Sequence, residues 1–595
     1  MKSETRNTIG TISQFHLAFP LRNLDEVRTC YNKVTGCKPG RVTWRAFAMT
    51  VMQLSRALLV LALLGSCATP HPEPRAGIAA DTGPRATEAD LDAIRVYIKK
   101  GWTELRRTHR QLLAAATDPK LTPTNGLWPV YVPEREDLAA IRNELAAEGV
   151  PAGELAQIEL RRLPRDRSKI QEHGVLWLPK PYVVPGGRFN EMYGWDSYFI
   201  LVGLLRDGEI ELAKGIVDDF RYEIENYGMV LNANRTYFLS RSQPPFLTEM
   251  ILAVYEKTAD REWLRAALPA IATYYNYWNT APHRTETGLS RYYDARTDPA
   301  PEVLADKRDE RGLTYYGNVK EYYRTHTTTD YDVSRFYDAK KDELTDLFYV
   351  GDRSMRESGF DPSNRFGPFN VGIIDMNPVC LNSLLYQMEK DAAAIATILG
   401  DGPGAANWEA RAADRKARIQ ALLWDEDTGL YLDYDYTKSK RRNYPFLTTF
   451  WPLWAGIADA RQARKVVANL GLFERPGGLQ TSTFRSGTQW DAPYGWAPLD
   501  LMAVKGLRRY GYVAEADRIT VNSQSLVLDV FLEQRVIVEK YDAALRKSAT
   551  GLKFGYTSNE IGFGWTNAVF IELLAGLPTS RRVDVLRRGG VGIGP

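Results

Sequence analysis

The stretch PGGRFNEMYGWDSYF, residues 185–199, sets backbone freedom, charge and aromatic faces side by side. Gly186 and Gly187 let the chain turn sharply or approach a ligand. Arg188 offers a planar fork of donors, while Glu191 and Asp196 offer acceptors beside Tyr193 and Trp195. A carbohydrate asks for that mixture: its hydroxyls need paired donors and acceptors, and the C–H faces of a pyranose need an aromatic plate. The same residues also read as a turn leading into a buried aromatic helix, so taken alone the stretch leaves pocket and core both open.

Outward from it the chain reads as helical. Thr87 and Asp90 form a capping-box variant ahead of Leu91, Ile94, Ile98 and Leu105 at helical spacing. Leu138, Ile141 and Leu145, stopped by Gly149, make a second amphipathic helix. Leu247, Met250, Ile251, Val254 and Tyr255 mark a third, followed at once by Trp263, Leu264, Leu268, Ile271, Tyr275 and Trp278. Further periodic runs cover residues 381–399, 408–424 and 457–470. Strand-like alternation is scarce and short. Helix pairs separated by long loops rich in Gly, Pro and aromatic residues predict an all-α fold with one face built from loops.

Composition narrows the function. Lys plus Arg number 76 against 73 Asp plus Glu in 595 residues, a formal charge of +3 that supplies no basic field for nucleic acid. Aromatic residues make up 11% of the chain, with 14 Trp and 32 Tyr, more than a helical core needs, which points to an aromatic-lined pocket or groove. Six histidines without an HExxH or a Cys/His cluster argue against a metal enzyme, and no cofactor is expected.

The first 86 residues read as something other than fold. Residues 49–67, MTVMQLSRALLVLALLGSC, run from one Arg through a short apolar core to small residues, the pattern of a signal peptide. LGSC resembles the lipobox of bacterial lipoproteins, which would place lipid on Cys67 and the protein in the periplasm or on the membrane. An export signal acts at a free N-terminus, so residues 1–48 read as a misassigned extension, taking Cys30 and Cys37 with them and leaving Cys380 alone. Residues 67–86 then form a flexible tether, 87–578 the catalytic domain, and 579–595, rich in Arg and Gly, a disordered tail.

Two motifs in order carry a family resemblance. PGGRFNEMYGWDSYF resembles the first signature of the trehalases, glycoside hydrolase family 37, and QWDAPYGWAP, residues 489–498, is similar to their second. The resemblance implies an (α/α)6 barrel, six inner and six outer helices with a loop-built pocket at one end. It also implies an inverting hydrolysis of α,α-trehalose to two glucose molecules. The segment ESGFD matches the one whose Asp is the general acid, Asp361, and VEKYD the one whose Glu is the general base, Glu539. Such a pair stands roughly 6.5–9.5 Å apart to admit a water. The resemblance assigns sugar contacts to Arg188, Trp195, Asp196, Asn232, Arg241, Ser242, Gln243, Glu302, Gly359 and Trp490. The expected partner is a small disaccharide bound by a monomer, with no nucleic acid, and with membrane contact only through Cys67.

Three departures fall inside that pattern. Ala300, Pro301 and Glu302 stand where the family has Arg-Pro-Glu. Gly555 or Tyr556 stands where it has a Glu shortly before GFGWTN, with Glu560 nearer that motif, and Cys380 stands where it tends to have Asp. Arg296 and Glu560 are the candidate replacements. Losing a hydroxyl-pairing group can shift specificity, so an α-glucosidase with altered preference and an inactive sugar-binding lipoprotein are the alternatives. A polysaccharide lyase would want a Tyr or His base and a cation-lined groove, which the paired carboxylates do not match.

Overall fold

The computed structural model describes residues 86–303, 308–548, 552 and 559–588. Six helices form a closed inner ring in which each packs on the next: Gly194–Arg206, Leu247–Thr258, Val379–Leu399, Trp451–Ala455, Ala497–Arg509 and Gly564–Gly576, the last returning to the first. Between them in sequence come the outer helices Ile210–Tyr227, Leu268–Asn279, Gly402–Leu422, Ala460–Ala468 and Val513–Gln534, while Glu88–Leu105 packs on Val513–Gln534 and Gly564–Gly576. This is the (α/α)6 barrel.

The physical reason for the two rings lies in burial. Outer helices are amphipathic: Glu88–Leu105 buries Leu91, Ile94, Ile98, Trp102 and Leu105 along one stripe, and Asp90 accepts from the Thr87 backbone N–H at 2.9 Å to cap it. Two inner helices, Gly194–Arg206 and Gly564–Gly576, are enclosed nearly all round; Gly194–Arg206 buries residues on every side, from Trp195 to Leu205. Gly203 closes the ring, since a Cβ there would lie 2.6 Å from that of Ala568 on the last inner helix.

Strands are mostly two-residue pairs in the loops. The exception is a parallel sheet between the first outer and first inner helices, with Trp128–Val132 between Ile158–Arg162 and Val175–Leu176. The expected disordered tail is corrected in part. Thr579–Arg588 is a helix with Val585 and Leu586 buried, and the Leu586 carbonyl accepts from the Ala86 N–H at 3.2 Å. Cys30, Cys37, Cys67, residues 49–85, Gly555, Tyr556 and 589–595 lie outside the described residues. Among the described residues, no helix is long and apolar enough to cross a membrane.

Candidate active site

The segment bearing Asp361 leaves the helix Asp346–Glu357, which Thr345 caps through the Phe348 N–H at 3.2 Å. Gly359 turns the chain with φ +74°, and a Cβ on it would lie 2.7 Å from Cε2 of Trp195. Both constraints call for glycine, and together they set Asp361 beside the first motif. Glu357, the last residue of that helix, anchors the turn: its carboxylate accepts from Tyr277 Oη at 2.6 Å and from the N–H groups of Tyr293 and Ser242 at 2.7 and 3.1 Å. Burial pushes the Glu357 carboxyl up, but His283, 3.4 Å away, and these donors outweigh it and hold it below its ordinary value.

Around Asp361 the polar groups converge. Arg356 Nη1 stands 4.0 Å from Asp361 Oδ2, and its Nε stands 3.9 Å from Glu302 Oε1. Arg241 pairs with Glu302 through Nη2, while Gln489 Nε2 donates to the Asp361 carbonyl. Arg241 Nε and Nη1, Glu302 Oε2 and Gln489 Oε1 are buried without a hydrogen-bond partner among the described residues. An orphaned buried polar atom costs about 1–3 kcal/mol, and sugar hydroxyls would satisfy both the donors and the acceptors. Asp361, its side chain 24% exposed, has its carboxyl lifted by burial to about 7 against the pull of Arg356 and Arg241.

Glu539 comes from the segment after the outer helix Val513–Gln534. Val538 bridges to Ile561, the Glu539 N–H donates to the Glu560 carbonyl at 2.9 Å, and Trp565 Nε1 donates to the Glu539 carbonyl at 3.2 Å. Lys540 donates to Glu539 Oε2 at 2.6 Å, and Oε1 has no hydrogen-bond partner among the described residues. Asp196, in the first turn of Gly194–Arg206, is pushed well above its ordinary value, first by burial and then by the charges of Glu539 and Asp361. One carboxyl therefore feels both.

The remaining sequence candidates divide by what they touch. Trp195 and Trp490 are each only 2% exposed: Trp195 packs on Phe360 and Trp565 at 5.3 and 5.7 Å, and Trp490 stacks flat on Trp496 at 3.8 Å. Both indoles are thus largely enclosed by other protein rings. Gln243 Oε1 accepts from the Trp195 N–H at 3.0 Å, and the Ser242 hydroxyl meets Val230 O and Tyr274 Oη at 2.6 and 2.8 Å. Asn232 Nδ2 donates to the carbonyls of Ser242 and Arg356 at 3.4 and 3.3 Å. These three brace the loops around Trp195 and Arg356. Arg188 pairs with Glu560 at 3.1 Å, and the Glu560 carbonyl accepts from the Glu539 N–H at 2.9 Å, which sets this ion pair next to Glu539.

The departures resolve unevenly. Arg296 is tied to Asp298 at 2.8 Å, so it does not replace the arginine missing at Ala300; Arg356, between Glu302 and Asp361, is the cation at that point. Cys380 is buried 3.6 Å from Arg365, whose guanidinium is held by Asp433 at 2.6 Å, a core role. Sequence reasoning missed Arg356, Lys540 and Gln489, although each adjoins or lies inside a quoted motif. Among the described residues the grouping with metal-ligand spacing is His109, Glu144 and Glu148, where His109 Nδ1 already meets Glu148 at 3.0 Å.

The family model for trehalase matches residues 95–578. The cytosolic neutral trehalase of Pyricularia oryzae is 36% identical over 525 residues, 80% of this chain and 68% of that protein. That of Emericella nidulans is 33% identical over 579 residues, 84% of this chain and 74% of its own. Among solved structures, neutral trehalase Nth1 from Saccharomyces cerevisiae aligns with a TM-score of 0.70 at 31% identity, covering 84% of this chain and 96% of that one. These relatives are cytosolic. That overturns the reading of residues 49–67 as an export signal, of Cys67 as a lipid anchor, and of the envelope as the location.

Proposed function

From the premise that the chain belongs to the trehalase family, we infer that Asp361 and Glu539 hydrolyse α,α-trehalose across one cavity with inversion. The protein is a trehalose-hydrolysing glycoside hydrolase. Asp361, kept about half protonated at neutral pH by its burial, gives its proton to the bridging oxygen as the glycosidic bond breaks. Glu539 takes a proton from a water on the opposite face of the ring, and the resulting hydroxide oxygen bonds to the anomeric carbon. One glucose leaves as the α anomer and the other, inverted, as the β anomer. Arg241, Glu302 and Gln489 bring unpaired buried donors and acceptors to the hydroxyls, and Arg188, Asp196 and Asn232 line or brace the same cavity. The scheme uses no cofactor, and one chain supplies every group in it, so we propose a monomer as the working unit.

The observation that carries this reading is the position of Trp195. Its indole packs on Phe360, next to Asp361, and on Trp565, whose Nε1 donates to the Glu539 backbone carbonyl. The backbone segments carrying two acids 178 residues apart in sequence (539 less 361) thus meet at one aromatic cluster. A panel of glucosides incubated with the protein tests it: trehalose should be cleaved and simple α-glucosides spared. Cleavage of another α-glucoside with trehalose left intact would refute it.

A further inference from the structure

A cavity of about 590 Å³ opens between the segment after Asp361, the hairpin Tyr434–Arg441 and the loop 484–486. None of the residues placed around Asp361 and Glu539 above lines it. Five of its lining residues are Lys or Arg and two are Asp. The two acids are spent: Asp435 pairs with Lys438 at 3.0 Å and Asp330 with Arg442 at 2.8 Å. Arg441 is partly engaged, Nη2 donating to the Ala421 carbonyl at 2.8 Å while Nε stays buried without a partner. The side chains of Lys440 and Arg485 make neither hydrogen bond nor ion pair with any described residue, and both residues are exposed.

Next to these cations stands an aromatic plate. Phe484 is 43% exposed, unusual for a large apolar side chain, and is stacked on Tyr444 at 4.1 Å and 20°. The wall is pre-formed, because buried Asp491 accepts from Tyr444 Oη at 2.8 Å, Ser486 Oγ at 2.6 Å and the Asn364 N–H at 2.9 Å, all three residues lining the cavity. A volume of this size suits a small molecule. Uncompensated cations ask for a dianion, and the exposed ring asks for a flat or pyranose partner.

We propose that this cavity binds a small ring-bearing phosphate ester, with Lys440 and Arg485 on the phosphate and Phe484 under the ring. The site is separate from the one that cleaves trehalose, and its occupant is held intact. Isothermal titration of the full-length protein with glucose 6-phosphate, AMP, inorganic phosphate and glucose tests it. Both esters should bind saturably, more tightly than phosphate and far more tightly than glucose, and the preferred ester identifies the ring. Lys440→Ala with Arg485→Ala should weaken the esters about tenfold or more, and Phe484→Ala should weaken the esters but leave phosphate unchanged. Trehalose cleavage by these variants reports that they fold. Absence of saturable ester binding, displacement of the ester by trehalose, or affinity untouched by the double substitution would each overturn the proposal.

Discussion

Replacing Asp361 by Asn removes a proton and a charge but almost no volume, which makes it the sharpest perturbation of the site. In the wild-type fold, burial lifts this carboxyl from 3.8 to about 7, roughly three units, or about 4 kcal/mol of disfavour for the ionised form. The native state holds the proton more tightly than the unfolded chain, so stability falls as pH rises from about 4 to about 7 and stays lower above that. Asn does not titrate. The variant should therefore gain up to about 4 kcal/mol relative to wild type between pH 4 and pH 8, read as a rise in the denaturant midpoint that grows with pH. Hydrolysis should fall about 10²–10⁴-fold, the usual worth of a positioned acid, and the alkaline limb of wild-type kcat/KM should break near pH 7. A stability difference independent of pH would refute the burial argument. Near-normal turnover by the variant would remove Asp361 from the mechanism.

Other perturbations probe the same architecture. Arg356→Gln removes a cation that pulls the Asp361 carboxyl down, so the alkaline limb of the rate profile should move to higher pH; a shift to lower pH would contradict the placement. Glu539→Gln should reduce turnover about 10²–10⁴-fold while calorimetry still detects trehalose binding, and preserved turnover would exclude it as the base. Gly359→Ala puts a Cβ 2.7 Å from Trp195 at φ +74°, costing about 1–2 kcal/mol for the left-handed backbone and about 1–3 for the overlap. Its urea midpoint should drop accordingly, and an unchanged midpoint would show that the turn can relax.

How much of this was legible depended on how fully a helix is enclosed. The stripe of Leu91, Ile94 and Ile98, with its Thr87 cap, announces an outer helix because one side faces water. Leu247–Thr258, though in the inner ring, buries one stripe and is legible for the same reason, whereas Gly194–Arg206 and Gly564–Gly576 are enclosed on nearly all sides and their apolar residues carry no 3.6-residue stripe to read. The parallel strand Trp128–Val132 is a five-residue apolar run, too short for periodicity to separate strand from helix. Thr579–Arg588 looked like a polar tail because only Val585 and Leu586 anchor it.

At the site, motif residues came together, but residue type did not reveal what each would spend its bonds on. Ser242 and Gln243 turn theirs toward neighbouring loops, and Trp490 gives a face to Trp496. Arg356 was hidden by its neighbours. It lies at the end of a helix, five residues before Asp361, and only the glycine turn between them brings its guanidinium back to the acid. Lys540 follows Glu539 directly, where an extended chain would send adjacent side chains to opposite faces, yet its ammonium reaches the Glu539 carboxylate.

The central claim is that acid and base act on opposite sides of the bond, with a water on the Glu539 side. Proton NMR of trehalose hydrolysis, recorded before the released sugars mutarotate, tests it most directly. Equal initial amounts of α- and β-glucose are predicted; the α anomer alone would contradict the account.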